Sequence, residues 1–151
     1  MPAVSDIAFV RYAVPDLDRM EQFLLDFGLH TVRKDATALY SRACGDAPFC
    51  HVAQKAEKPA TLGFGLYAQS AADLAEIARE FGASVEDSPE PGGGQRVRLT
   101  DPAGFKVDIV HDSKLRNAAA KRQVAIGAEK KISLEFAQDI RHAVILSLIH
   151  I

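Results

Sequence analysis

Leu99-Thr-Asp-Pro-Ala-Gly-Phe-Lys-Val-Asp-Ile-Val-His111 reads as two β-strands joined by a tight turn. Asp101, Pro102 and Gly104 occupy the first, second and fourth places of a type I turn, the positions those residues prefer. Side chains alternate across a strand, so Phe105, Val107 and Ile109 share one face and Lys106, Asp108 and Val110 the other. The apolar set is expected to face a covering helix. Asp108 then points into whatever concavity the sheet makes, and its partners there carry much of the functional question.

Working outward, the same grammar occurs twice. Ile7–Val14 reads as a strand closed by Pro15. Asp16 is a good helix N-cap, Leu17, Met20, Phe23, Leu24 and Phe27 recur at helical spacing, and Gly28 stands where a C-terminal glycine belongs. Short strands follow at Leu29–Arg33, Thr37–Ala43 and Phe49–Gln54. Glu57-Lys58-Pro59 is a connector. Then Thr61–Ala68 is a strand, Ser70 to Asp73 resembles a capping box, and Leu74, Ile77, Ala78 and Phe81 form an apolar stripe ended by Gly82. Ser84–Asp87, Gln95–Thr100 and Phe105–His111 complete the set, with Pro89–Gly94 read as a mobile loop.

The two halves align at an offset of 54 residues: Val10 with Phe64, Met20 with Leu74, Phe27-Gly28 with Phe81-Gly82. The expected fold class is therefore α+β, with paired β-α-β-β-β modules (4–56 and 60–112) forming a cup-shaped sheet with helices outside.

Residues 7–111 resemble the vicinal oxygen chelate superfamily of glyoxalases, bleomycin- and fosfomycin-resistance proteins and extradiol ring-cleaving dioxygenases. The resemblance is carried by Ile7-Ala8-Phe9-Val10 with Val14-Pro15-Asp16-Leu17, by Phe27-Gly28-Leu29, and by Asp101-Pro102-Ala103-Gly104-Phe105. It implies a cup that often holds a divalent metal, with ligands from the first and last strands of each module. Carried over by position, those four corners are Phe9, Gln54, Gly63 and Asp108. A phenyl ring and a bare α-carbon cannot ligate, and two oxygen donors fall short of the three protein ligands of an open catalytic site. We therefore read Asp108 as held in an ion pair by Arg11, Arg96 or Arg98, with no cofactor in this pair of modules. Arg11, Gln54, Tyr67, Arg96, Arg98 and Asp108 are the expected cup-lining, ligand-binding residues. Gly63, Gly65 and Tyr67 leave room for a flat ligand.

The remaining chemistry-bearing residues read as structural. His30 follows a helix end, His51 lies in a strand, and His111 is on the opposite strand face from Asp108. Cys44 and Cys50 carry no sign of activation. The Pro-Gly-Gly-Gly run lacks the Gly-Lys-Ser/Thr ending and the following helix of a phosphate loop.

After Ser113 the chain turns basic, with seven Lys/Arg against three acids. Residues 113–139 read as a linker or helix, and 140–151 as an apolar strand. Ile140-Arg141-His142-Ala143-Val144-Ile145-Leu146 resembles the opening strand of a further module, with His142 where Phe9 stands in the first. In extradiol dioxygenases a metal-free N-terminal module pair precedes a C-terminal pair that holds Fe(II) or Mn(II), its first ligand a His on such a strand. The resemblance thus makes His142 an incomplete metal site, since the chain stops at Ile151 before further ligands occur.

Composition sets the remaining bounds. The 151 residues are 48% hydrophobic and 25% charged, enough for one globular domain. A net charge of −2 argues against a dedicated nucleic-acid binder. No signal-like leader and no membrane-length apolar run occurs, and two cysteines make no disulfide framework, so a cytoplasmic location is expected. The functional expectation is the N-terminal part of an extradiol-type dioxygenase, handling a small aromatic or diol substrate and inactive alone. The alternatives are a non-catalytic small-molecule-binding module of the resistance type, and a structural half that forms a homodimer through 140–151 or a sheet edge.

Overall fold

The computed structural model describes residues 2–113, 125–126 and 130–131. The first repeat comprises β1 (Val4–Val14), α1 (Leu17–Asp26), β2 (His30–Lys34), β3 (Ala38–Arg42) and β4 (His51–Lys55). The second comprises β5 (Ala60–Ala68), α2 (Ala71–Glu80), β6 (Val85–Asp87), β7 (Gln95–Thr100) and β8 (Lys106–His111). A two-stranded ladder, β9 (Ala125–Ile126) with β10 (Lys130–Lys131), lies within the basic stretch. Apart from these two short strands, the linker or helix expected at 113–139 lies outside the described residues except at Ser113, as do the strand expected at 140–151 and His142.

All eight module strands join one open mixed sheet, in the order β2-β3-β4-β1-β5-β8-β7-β6. Within each repeat the first strand pairs in parallel with the last, and β1 meets β5 antiparallel at the centre. Val10 lies opposite Phe64, its own mate at the 54-residue offset, so the repeats are related by a two-fold axis through that pair.

The helices start and stop for the same local reasons. Asp16 accepts from the Arg19 amide (3.0 Å) and Ser70 from the Asp73 amide (3.1 Å), capping amides that the helix itself leaves unpaired. Each helix ends in a Schellman motif. Leu29 N–H donates to Leu24 C=O and Ala83 N–H to Ala78 C=O, with Gly28 and Gly82 supplying the left-handed residue at φ 96° and 64°.

Leu17 and Leu24 of α1 pack with Val14, Leu39 and Ala53 behind the first repeat, while Leu74, Ile77 and Ala78 of α2 pack with Val97 and Ile109 behind the second. The stripes are narrower than the sequence suggested. Phe23, Phe27 and Phe81 lie largely in solvent, Phe23 and Phe27 stacked on each other. Phe105 also departs from expectation: β8 begins at Lys106, so Phe105 stays in the turn, where its amide donates to the Asp101 carboxylate, and only Val107 and Ile109 reach the helix side.

The inner face differs between the halves. On the first it is apolar but for Arg11 and Gln54, with Phe9, Tyr40, Phe49 and Val52 buried together. On the second it carries Arg96, Arg98 and Asp108.

Candidate functional site

Three buried charges meet at the centre of the cup. Arg11, on β1, donates through Nη2 to Glu90 Oε1 at 2.6 Å and to Asp108 Oδ2 at 3.0 Å. All three residues are no more than 6% exposed, so each charge has given up water and depends on the others. Burial works against the Arg11 charge, but Glu90, and after it Asp108, outweigh that cost and hold the guanidinium pKa above its ordinary value. Arg11 also lies 5.0 Å over the Phe9 ring, a cation–π contact that adds to its support.

The other two arginines divide. Arg98 pairs with Asp108 in the β7–β8 ladder and brings Nε to 3.5 Å from Oδ1. Arg96 turns away from Asp108. Its Nε donates to Glu86 Oε1 at 2.7 Å, and its Nη1 stands 3.9 Å from Glu90. Parity alone had put both arginines beside Asp108; the β6 edge strand, antiparallel to β7, pairs Glu86 directly with Arg96 and draws it off.

Glu90 is the functional residue that the sequence reading did not find. It sits in the loop read as a mobile connection, between Pro89 and Pro91. The structure anchors that loop. Glu90 reaches Arg11, Arg33 on edge strand β2 donates to Pro89 C=O (3.2 Å), and Ser113 Oγ donates to Gly93 C=O (3.1 Å). Gly92, Gly93 and Gly94 all take positive φ, the conformation that lets the loop fold back. The available signal was an acid held between two prolines.

Gly63, Gly65 and Tyr67 do not leave a flat slot. The Phe9 ring occupies the space over Gly65, where an added Cβ would stand 2.4 Å from it, and Tyr67 packs on the apolar cluster around Phe9. Open space lies further along the cup. A cavity of about 300 Å³ is lined by Arg11 and Gln54 from the first repeat and Arg98, Leu99, Thr100, Lys106 and Asp108 from the second.

Outside the cup, His51 stacks on Tyr12, with ring centroids 5.4 Å apart. Burial lowers its pKa to about 4, so the ring is neutral near pH 7. Cys44 and Cys50 are half-buried, and neither is in a disulfide. His30 and His111 are half-buried at the starts and ends of strands β2 and β8.

No family model and no curated protein matches the chain. Solved structures do. A Mn(II)-bound glyoxalase from Novosphingobium aromaticivorans superposes with a TM-score of 0.71 at 26% identity, over 83% of this chain and 44% of that one. An extradiol ring-cleaving dioxygenase from B. fuscum matches at 0.65 and 23% identity, over 78% and 35%. Homoprotocatechuate 2,3-dioxygenase from Brevibacterium fuscum, in its complex with 3,4-dihydroxyphenylacetate, matches at 0.67 and 21%, over 78% and 39%. The chain carries the vicinal oxygen chelate fold. It spans less than half the length of each of these structures.

The metal that a vicinal oxygen chelate cup often holds does not suit these residues. Phe9 is buried in the apolar cluster, and a side chain on Gly63 would meet the Lys106 carbonyl oxygen at 1.8 Å. Strand register also moves the fourth corner. Asp108 lies beside Gly65, the mate of Arg11, whereas Arg11 lies beside Val52, so the spatial counterpart of Asp108 is Val52 rather than Gln54. The parallel pairing of β1 with β4 is displaced by two residues relative to β5 with β8, which the constant offset in sequence conceals. Among the described residues no group of three His, Cys, Asp or Glu is placed to hold a metal. Asp108 offers its oxygens to two arginines, and a cation would have to displace them.

Proposed function

We propose that this module pair is the metal-free, N-terminal-type half of an extradiol-type aromatic ring-cleaving dioxygenase, and that alone it does not cleave rings. The observation that carries the reading is the buried Arg11–Glu90–Asp108 cluster: the centre of the cup holds an organic cation between two carboxylates. A guanidinium there supplies positive charge and directional donors but no open coordination position, so the cup cannot present a diol and oxygen side by side. On this reading the Fe(II) or Mn(II) of the complete enzyme belongs to a second module pair, and 140–151, with His142, is the start of it. The small aromatic or diol substrate, a cytoplasmic location and self-association through 140–151 or a sheet edge belong to the same proposal.

What the described side chains do is hold two modules in one orientation. Arg11 and Arg33 come from the first repeat, and Glu90, Pro89 and Asp108 from the second, so each of these bonds crosses the pseudo-two-fold interface. The test is metal binding by the purified chain, alongside ring cleavage. Titration with Mn(II) or Fe(II) should leave the melting temperature unchanged, EDTA should have no effect on it, and catechol with Fe(II) should give no yellow ring-opened product. Stoichiometric metal lost on substituting Asp108, or ring cleavage by this chain, would overturn the reading.

A further inference from the structure

The cavity beside the Arg11–Asp108 pair has a donor surplus that the fold does not use. Gln54, on β4, lines it, and its side-chain amide makes no hydrogen bond among the described residues. Arg98 lines it with a side chain that is 54% exposed; its Nε stands 3.5 Å from Asp108 and 3.6 Å from Glu86, and its amino groups have no partner among the described residues. Lys106 gives one N–H to Thr100 Oγ1 at 2.9 Å and meets no carboxylate among them. The one acid of the lining, Asp108, is already engaged by Arg11 and Arg98. Three cationic side chains therefore face one carboxylate around this space; behind them Glu90 pairs with Arg11 and Glu86 with Arg96, which leaves one positive charge over.

We propose that this inter-module cavity binds a small organic carboxylate. The planar Arg98 fork and the Lys106 ammonium take the two carboxylate oxygens, with the Gln54 amide as a further donor. The methylene stems of Arg98 and Lys106 are the apolar surface open to the organic body, since Leu99 packs on the α2 side. At the ~30 Å³ that one water occupies in the liquid, the volume suits a ligand of roughly ten non-hydrogen atoms. Arg and Lys side chains also recognise inorganic phosphate, so the titration below includes it to separate the two. Because both repeats contribute residues, an occupied cavity would also tie them together.

The proposal stands on the cavity alone and involves neither metal nor ring cleavage, so its failure and the failure of the dioxygenase reading are separate results. The experiment is calorimetric titration of the full chain with benzoate, glutarate, benzamide and inorganic phosphate. The expected result is binding of benzoate or glutarate at a Kd of about 1 mM or tighter, without binding of the neutral benzamide. Arg98→Gln and Lys106→Gln should each weaken it by about tenfold, the worth of one charge-assisted hydrogen bond. Both residues are at the solvent edge, so the variants should keep the parent melting temperature, and NMR of the Gln54 amide and Arg98 Nε gives a second readout by shifting on binding. Failure of both carboxylates to bind, equal binding of benzamide, tighter binding of phosphate, or unchanged affinity in both variants would each overturn the assignment.

Discussion

The two repeats agree at their helix ends and disagree on the floor of the cup. At the 54-residue offset, Asp16 answers to Ser70 and Gly28 to Gly82, each doing the same job. On the floor, Phe9 and Arg11 of β1 answer to Gly63 and Gly65 of β5. Bulk on one strand is matched by its absence on the other, since Phe9 lies opposite Gly65 and Arg11 opposite Gly63 in the central antiparallel pair. A strictly symmetric pair would set a ring against a guanidinium group twice over, in space that holds one of each. The difference teaches that helix punctuation is constrained within a module, whereas the floor is constrained between modules, and there the copies have become complementary.

The largest way to break that complementarity is to remove its charge. Arg11→Met leaves the buried Glu90 and Asp108 with only the longer contacts to Arg96 and Arg98, and should cost about 3 kcal/mol in denaturant unfolding. The triple variant Arg11→Met, Glu90→Gln, Asp108→Asn should recover most of that loss. Full stability in the single variant would show that the cluster does not join the modules.

The second way uses pH. By register, the counterpart of Val107 in the first repeat is His51, an ionisable ring in a half-buried place. Its folded pKa, about 4, lies below its ordinary 6.5, so the unfolded chain binds the proton more readily. Stability should therefore be full above about pH 6.5 and fall as pH drops toward 4, by on the order of 2–3 kcal/mol. His51→Phe, which keeps a ring against Tyr12, should flatten the profile in that window; chemical denaturation at a series of pH values measures it.

Steric substitutions sharpen the contrast between the central strands. Gly65→Ala places a methyl group against the Phe9 ring and should cost about 1–3 kcal/mol, relieved when Phe9→Leu is added. Gly63→Ala meets a backbone carbonyl instead, which cannot rotate away, and should lie at the top of that range with no relief from Phe9→Leu. Melting temperatures of the four variants decide it.

The smallest effect compares the caps. Asp16→Ala should cost about 1 kcal/mol. Ser70→Ala should cost somewhat more, because Ser70 also bonds Asp73, whose carboxylate accepts from Ala3 N–H at the start of β1. Equal losses in thermal melts would mean that this tie carries no weight.

What the sequence made legible follows the same division. The 3.6-residue spacing, the caps and the terminal glycines are local chemistry, and both helices stand within a residue or two of where they were placed. The Arg11–Asp108 contact could be anticipated because strand parity puts both on one face and opposite charge pairs them. Arg96 could not be assigned, since its choice between Glu86 and Asp108 depends on the pairing of a three-residue edge strand. Glu90 was hidden because Pro and Gly announce a loop without saying where it goes. The two-residue slide of β4 against β1 left no mark, since one offset fits both helices and both central strands.

The loop from Ser88 to Gly94 belongs to the second repeat by chain order, yet two of its three side-chain anchors, at Pro89 and Glu90, are on the first, at Arg33 and Arg11; the third is Ser113 at Gly93. The earlier half of the polypeptide is therefore a template on which the later half sets its hairpin. Amides of this glycine-rich turn should exchange with solvent in step with β1 rather than with the neighbouring strand β6. A lone second repeat, however well its helix forms, would keep only the Ser113 tie to hold that turn.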